Sequence, residues 1–203
     1  MDELIADVQN LSFGEKKDKR VVQDFSQLEP ELLFSDLIMS SFFHKVCDVV
    51  IDYETNVMGT KKRKTDIKFN SCIDCDEWKN HTEWIYIFTC DDKIMKIGGT
   101  RTGLAGRCAS YLCGRPEFRK SGTCSTTNYV VYASILNLLK DNHKVEMYAK
   151  KLNKCTISVC EFEIDLDMDV QVFHAFETKM LERYKEQAGK YPILSSNSDK
   201  RFT

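Results

Sequence analysis

One stretch of the chain, residues 84–107, constrains the fold more than any other. Seven consecutive strand-forming residues, 84–90, are followed by Asp91 and Asp92 and then by a second apolar run, 94–97. Two such runs separated by a short polar turn are typical of a β-hairpin. A pair of glycines then interrupts the pattern, which marks the end of the second strand.

A helix should follow the glycines, because apolar and basic positions recur there with helical spacing. They fall at i, i+3, i+4 and i+7: Leu104, Arg107, Cys108 and Tyr111. This spacing places Arg107 on or beside the apolar stripe of the helix. Hairpin and helix together hold Tyr86, Lys96 and Arg107 on three consecutive rigid elements.

The length of the chain predicts one main domain, and its net charge predicts no overall attraction for polyanions such as DNA. The 203 residues are 42% hydrophobic, and the formal net charge is -2. A chain of this size buries one core, which we assign to residues 81–203. Residues 1–80 are predicted to form a mainly helical N-terminal extension with a helix in 28–43, and this extension is a candidate DNA-contacting arm. Any surface for nucleic acid must be a local patch.

Cysteine usage indicates a reducing compartment. The chain has nine cysteines, an odd number, and no apolar run follows Met1. We therefore expect an intracellular protein, cytoplasmic or, in a eukaryote or its virus, nuclear. No stretch is long and apolar enough for a membrane span. Cys72 and Cys75 have half the spacing of a zinc site, but no second ligand pair follows, so reduced cysteines are favoured over zinc.

Two basic sets are candidates for contacts with the backbone phosphates of DNA. The first is a run of four cations after a glycine, which could equally be a solvated loop or a nuclear address: Lys61, Lys62, Arg63 and Lys64. The second surrounds the hairpin and helix: Arg101, Arg115, Arg119 and Lys120. Phosphate contacts of this kind position a protein on DNA without reading its sequence.

The C-terminal third contains a strand pattern and then a helix with one acidic residue on its apolar stripe. Residues 161–169 alternate acidic and apolar side chains, which predicts a half-buried strand with a solvated acidic face. Residues 170–188 follow a helical pattern, and Glu177 lies on its inward stripe. A lone acid among apolar residues must be paired, protonated or bound to a metal. The sequence leaves these alternatives open.

The order and spacing of these motifs resemble the GIY-YIG nuclease superfamily. The motifs are Trp84-Ile85-Tyr86, then Lys96-Ile97-Gly98 ten residues after the tyrosine, then Arg107 and the distant Glu177. The similarity covers residues 82–197 and is greatest to members with a lysine in the second motif, found among restriction endonucleases and phage or large-virus proteins. It implies an α+β fold with a small antiparallel sheet of about three strands flanked by helices.

The resemblance also implies a reaction and a role for each site residue. The reaction is metal-dependent cleavage of DNA, with Tyr86 as general base, Arg107 on the phosphate and Glu177 as the sole protein ligand of one Mg²⁺ or Mn²⁺ ion. Lys96 takes the place of the second tyrosine and would help to lower the pKa of Tyr86. Gly98 and Asn197 are supporting residues by the same resemblance.

The chain departs from the family pattern at three positions. Trp84 replaces a leading glycine that mainly shapes the strand, and Lys96 replaces the second tyrosine, as it does in some members. Gly99 stands where other members carry a histidine, which removes an auxiliary base. Cleavage of both strands of a duplex would most simply use a homodimer.

Strand register provides a test that does not depend on the family. A plain two-residue turn at Asp91 and Asp92 would place Tyr86 and Lys96 on opposite faces of the sheet. We therefore predict either a three-residue loop or a compensating bulge.

Two functions remain after this reading of the sequence. The first is a metal-dependent DNA endonuclease in which Tyr86 activates water. The alternative is a catalytically inactive DNA-binding or regulatory module of the same fold, supported in one version by zinc at Cys72 and Cys75.

Overall fold

The predicted hairpin forms two strands of a five-stranded antiparallel sheet. The computed structural model describes residues 18–52, 66–162 and 164–195. The strands are β1 (His44–Asp52), β2 (Asp66–Ser71), β3 (Trp84–Cys90), β4 (Lys93–Thr100) and β5 (Val145–Lys151). Their order in the sheet is β2-β1-β5-β3-β4, so β4 lies at one edge. All seven residues of β3 are buried, because helices or loops cover both of its faces.

Five α-helices lie in the described part of the chain, and the long ones pack on the sheet. They are α1 (Cys75–Lys79), α2 (Gly103–Leu112), α3 (Pro116–Lys120), α4 (Thr126–Lys140) and α5 (Phe173–Ala188). The side chain of Ser125 caps α4 at its first turn, and Gly189 ends α5 in a left-handed conformation. Helices α2 and α4 share one core with Tyr86, whereas α5 forms a second core on the other face with Ile85. Across the described ranges, no helix is long and apolar enough to cross a membrane.

The sheet is larger than the prediction of about three strands, and residues 18–52 and 66–80, the described part of the N-terminal region, are less helical than predicted. Strand β1 pairs with both β2 and β5 and thereby extends the sheet by two strands. The helix expected in residues 28–43 is absent; two short 3-10 helices, Phe25–Leu28 and Ser40–Phe42, lie in this region. The apolar residues of the expected stripe diverge, since Leu37 is 1% exposed and Ile38 is 73% exposed. The division of the chain at residue 80 stays a prediction.

The hairpin register confirms the predicted bulge. The turn contains only Asp91 and Asp92, both with positive φ angles, as in a tight hairpin turn. Cys90 pairs with Lys93, but the register shifts in the next residues so that Phe88 lies opposite Lys96. One extra residue in β4 therefore returns Lys96 to the sheet face that carries Tyr86.

A separate two-stranded hairpin contains the alternating segment. It consists of β6 (Cys155–Glu161) and β7 (Ile164–Val170), which pair only with each other. A strand is confirmed for Ile164–Val170, but the hairpin turn at Phe162 interrupts the predicted range 161–169. The predicted half-burial is wrong, because Leu166 is 53% exposed and Ile164 is 65% exposed. Alternation specifies one apolar face and does not specify what covers it.

Candidate active site

Tyr86 lies at the centre of the candidate site, where β3 passes the glycine pair of β4. Tyr86 is opposite Gly98 in the register and is 0% exposed. A Cβ atom added at Gly98 would collide with the Tyr86 hydroxyl group, so only glycine leaves room for the phenol to lie across β4.

Arg107 and Tyr111 of α2 hold the Tyr86 hydroxyl group. Arg107 Nε donates a hydrogen bond to the Tyr86 oxygen at 2.9 Å, and Arg107 Nη2 donates to the Tyr111 oxygen at 3.0 Å. The two hydroxyl oxygens are 2.7 Å apart. Arg107 and Tyr111 are one helical turn apart, so α2 presents both to the sheet. The three polar groups form a closed triangle.

The pKa of Tyr86 is raised, which corrects the expectation that neighbouring cations lower it. Burial is the main cause, because it disfavours the phenolate; Arg107 and Tyr111 oppose burial without overcoming it. The pKa of Tyr111 is also raised, because burial and the neighbouring Tyr86 both favour its protonated form.

Lys96 is buried next to the C-terminal segment of the described chain. It is 6% exposed, and its ammonium group donates to the carbonyl oxygen of Leu194 at 3.1 Å. Burial, with repulsion from Arg107, lowers its pKa to about 8, and Glu177 acts in the opposite direction. The side chain of Ser195 fixes the segment, since it accepts from the backbone N–H of Ile97 and donates to its carbonyl, each at 2.9 Å.

Glu177 reaches the same strand from the other face of the sheet. Its carboxylate accepts a hydrogen bond from the backbone N–H of Gly99, and a Cβ atom there would lie 3.1 Å from Glu177 Oε2. Burial raises the pKa of Glu177, while Lys96, His174 and Arg107 act to lower it. The side chain is still 26% exposed. Glu177 is thus a partly desolvated carboxylate with an open side.

These contacts place the candidate site at the outer edge of β4. The backbone groups of Met95 and Ile97 that point out of the sheet are bonded to Leu194 and Ser195, and the next outward N–H, at Gly99, is bonded to Glu177. The glycine pair lets Tyr86 and Glu177 approach the strand from opposite faces. The edge offers a phenol, a guanidinium group and a carboxylate within one small region, which suits hydrolysis of a phosphodiester.

Comparison with known proteins agrees with this architecture. No protein-family model and no curated protein matches the sequence. The solved structure of restriction endonuclease HPY188I in complex with product DNA is similar, with a TM-score of 0.59 and 28% sequence identity over 92% of this chain and 99% of that chain. A mutant of bacteriophage T4 EndoII has a TM-score of 0.49 and 20% identity over 71% of this chain and 90% of that one. The chain has a nuclease-like fold.

The predicted DNA-contacting residues have different surroundings. Arg115 forms an ion pair with Asp66, a buried carboxylate that also accepts from Tyr132, so Arg115 has a role inside the fold. Arg101 and Arg119 are exposed and donate hydrogen bonds to neutral side chains, the Gln171 amide and the Thr126 hydroxyl group. Arg119 also lies over the ring of Tyr129. Lys120 is also exposed. Their contacts with DNA stay predictions. Lys61, Lys62, Arg63, Lys64 and Asn197 lie outside the described residues.

A second polar cluster lies at the opposite end of the β3–β4 hairpin. Cys90, Asp91 and His143 have potential ligand atoms within 4.8 Å of one another, the only such group of three in the described ranges. Asp91 accepts from the backbone N–H of Lys144, and its other carboxylate oxygen is 2.7 Å from His143 Nδ1. Burial raises the pKa of Cys90 to about 12, which opposes formation of the thiolate that a metal requires. These contacts assign the cluster to closing the hairpin.

Sequence reasoning missed two parts of the candidate site. Tyr111 was assigned only to the apolar stripe of α2, although its position one turn after Arg107 was a usable signal. Leu194 and Ser195 carried no signal, because they act through a backbone carbonyl and a contact with β4 that spans 98 residues.

Proposed function

We propose that this protein is a DNA endonuclease of the GIY-YIG type that hydrolyses phosphodiester bonds with the help of a divalent metal ion. The observation that carries the proposal is the hydrogen-bonded triangle of Tyr86, Arg107 and Tyr111 beside Glu177. The similarity to a restriction endonuclease solved with product DNA supports DNA as the substrate.

Tyr86 acts as the base that takes a proton from the attacking water. A phenolate formed at Tyr86 would receive hydrogen bonds from both Arg107 and Tyr111, whose geometry is already in place. Donors set in advance stabilise a charge that develops only in the transition state. This arrangement offsets part of the effect of burial, which raises the pKa of Tyr86 in the free protein.

Arg107, which donates a hydrogen bond to the Tyr86 hydroxyl group, is also placed to bind the phosphate. Its guanidinium group is part-buried and carries a raised pKa: burial disfavours its charge, but Tyr111 and Tyr86 more than offset that effect. Lys96 adds a second positive charge beside Glu177 and is held by the tail carbonyl of Leu194.

Glu177 fits the role of sole protein ligand of a Mg²⁺ or Mn²⁺ ion. Mg²⁺ is often bound by one or two carboxylates, with waters and substrate phosphates completing its shell. The partial exposure of Glu177 leaves room for such a shell. An ion there would supply neutralisation of charge on the phosphate oxygens.

Nicking of supercoiled plasmid DNA, with and without Mg²⁺, tests this proposal. We expect Mg²⁺-dependent nicking by the natural sequence and a rate lower by about two orders of magnitude or more in Tyr86→Phe, since a general base contributes that much. Tyr148→Phe is a matched control, because its hydroxyl group lies on the other core and contacts Glu146.

The inactive-module alternative makes the opposite prediction for the same assay. Gel-shift binding of DNA with no nicking on any substrate would favour it. Its zinc-supported version has no second observation in its favour, because Cys72 is exposed and its thiol contacts Asp48 rather than Cys75 or His81.

A further inference from the structure

The β6–β7 hairpin has one apolar face and one polar face. Cross-strand neighbours on the apolar face include Ile157 with Met168 and Val159 with Leu166. Because side chains alternate along a strand, the intervening pairs lie on the opposite face. There Thr156 donates to Asp169 at 3.1 Å, and Ser158 donates to Asp167 at 2.5 Å. The polar face is therefore satisfied within the hairpin.

The apolar face is exposed to an extent that a lone hairpin does not tolerate well. Four large apolar side chains on this face are 40% to 65% exposed, namely Ile157, Ile164, Leu166 and Met168; Phe162, in the turn, is 92% exposed. A two-stranded hairpin is marginal in water unless its apolar face packs against something. The exposed parts on the face amount to about two whole side chains, or roughly 400 Å², which is the size of a functional patch.

We propose that this apolar face is the surface on which a second copy of the chain docks, hairpin against hairpin around a two-fold axis. Two copies would bury roughly 800 Å² from these side chains, and neighbouring atoms, with Phe162 in the turn, would bring the total to the ~1,000 Å² that a specific interface needs. A face made of matching apolar pairs is complementary to itself, as a two-fold interface requires.

Charge decides between a second copy and DNA as the occupant. Residues 155–170 contain five acidic residues and no lysine or arginine, so the hairpin repels a polyanion. In the two-fold arrangement, Asp165, Asp167 and Asp169 point away from the contact on both copies. The acidic faces then remain in water. Glu161, which pairs with Ile164, is on the apolar face, but it lies at the turn end of β6 and is exposed, so it would stay at the rim of the contact.

The position of the hairpin makes such a dimer useful, and this step rests on the proposed function. The hairpin leaves the sheet beside the candidate site: Leu152, just before β6, donates to Glu83, and Val172, just after β7, also bonds to Glu83. Trp84 of β3 follows directly and lies opposite Thr100 of β4. A dimer joined there brings two sites to one duplex, one for each strand.

Sedimentation velocity of the full chain across the micromolar range tests the interface. We expect the mass of two chains for the natural sequence and of one chain for Leu166→Lys. Thr156→Lys is the matched control, since it adds the same charge to the polar face and should stay dimeric. Ile164→Lys provides a second disruptive variant at a position already 65% exposed, where folding tolerates the change; circular dichroism checks that each variant is folded.

The outcomes separate this interface from the proposed function. A folded natural chain that sediments as a monomer throughout the range, or folded Leu166→Lys and Ile164→Lys variants that remain dimers, would overturn the interface. A dimer that Leu166→Lys disrupts but that never nicks DNA would retain the interface and remove the proposed function. If both hold, Leu166→Lys should still nick plasmid but linearise it at least about tenfold more slowly.

Discussion

The two ends of the β3–β4 hairpin carry polar clusters of opposite character. At the turn, Asp91 bonds to His143 and to a backbone N–H group, and the His143 ring stacks on Phe25 at 4.4 Å. Toward the open end, Lys96 and Glu177 are largely removed from water. Burial lowers the pKa of Lys96 and raises the pKa of Glu177, and both shifts favour the neutral form. The turn cluster stabilises the fold, whereas the edge cluster contains ionisable groups whose charged forms burial disfavours, a feature that is common at functional sites.

The largest expected effect is a loss of DNA cleavage when the edge cluster, but not the turn cluster, is changed. Glu177→Gln should lower the rate of Mg²⁺-dependent plasmid nicking by about three orders of magnitude or more, because it removes the proposed metal ligand. Its thermal midpoint should be unchanged or higher, since burial disfavours the charge on Glu177. Glu182→Gln, on the same helix and paired with Lys179 at the surface, is the control and should nick normally.

The second effect is the rise of stability with pH that Lys96 contributes at the edge cluster. The pKa of Lys96 is about 8 in the folded chain, against an ordinary value of 10.5. Between these values the unfolded chain binds more protons, so Lys96 makes the free energy of unfolding rise with pH in that window. Lys96→Met should remove a rise of up to about 3 kcal/mol.

Urea unfolding of both proteins between pH 8 and pH 10 in EDTA measures this difference. If the free energy of unfolding changed with pH in the same way in both proteins, Lys96 would have the pKa of an ordinary solvated lysine, and the lowered pKa would be contradicted.

The third effect concerns the hydrogen-bond triangle. Tyr111→Phe removes one donor to a Tyr86 phenolate and should slow nicking by about tenfold, the value of one hydrogen bond to a charged group. The Michaelis constant for DNA should change little, because Tyr111 is fully buried. A loss confined to DNA affinity would mean that Tyr111 acts only through the packing of α2.

The smallest effect belongs to the turn cluster. His143→Ala should lower the free energy of unfolding by about 1 kcal/mol, through loss of the bond to Asp91 and the stacking on Phe25. Plasmid nicking should be unchanged at temperatures where the variant is folded. A folded variant with impaired nicking would place catalytic chemistry at the turn and remove the contrast between the two ends.

Local patterns predicted the parts of the candidate site that depend on neighbouring residues. The hairpin, the helices α2 and α5, and the need for a bulge before Lys96 follow from periodicity and side-chain parity. The resemblance to a nuclease family added the expectation that Tyr86 and Glu177 belong to the same site. Both steps used residues whose spacing along the chain is informative.

Features that depend on distant contacts were not predictable in this way. Strand β1 joins the sheet through β5, about a hundred residues away, so its pattern could not show how large the sheet is. The pairing of Arg115 with Asp66 and the exposure of Leu166 also depend on tertiary placement. The pKa of Tyr86 was predicted in the wrong direction, because cations can be identified from sequence but burial cannot be weighed against them.

Binding of a divalent ion at the Glu177 end of the hairpin can be measured by electron paramagnetic resonance of Mn²⁺. The measurement uses the full chain with an uncleavable DNA duplex and compares Glu177→Gln with His143→Ala. We predict that His143→Ala retains the bound Mn²⁺ signal and that Glu177→Gln loses it. Retention of bound Mn²⁺ by Glu177→Gln, with its loss in a folded His143→Ala variant, would contradict the account.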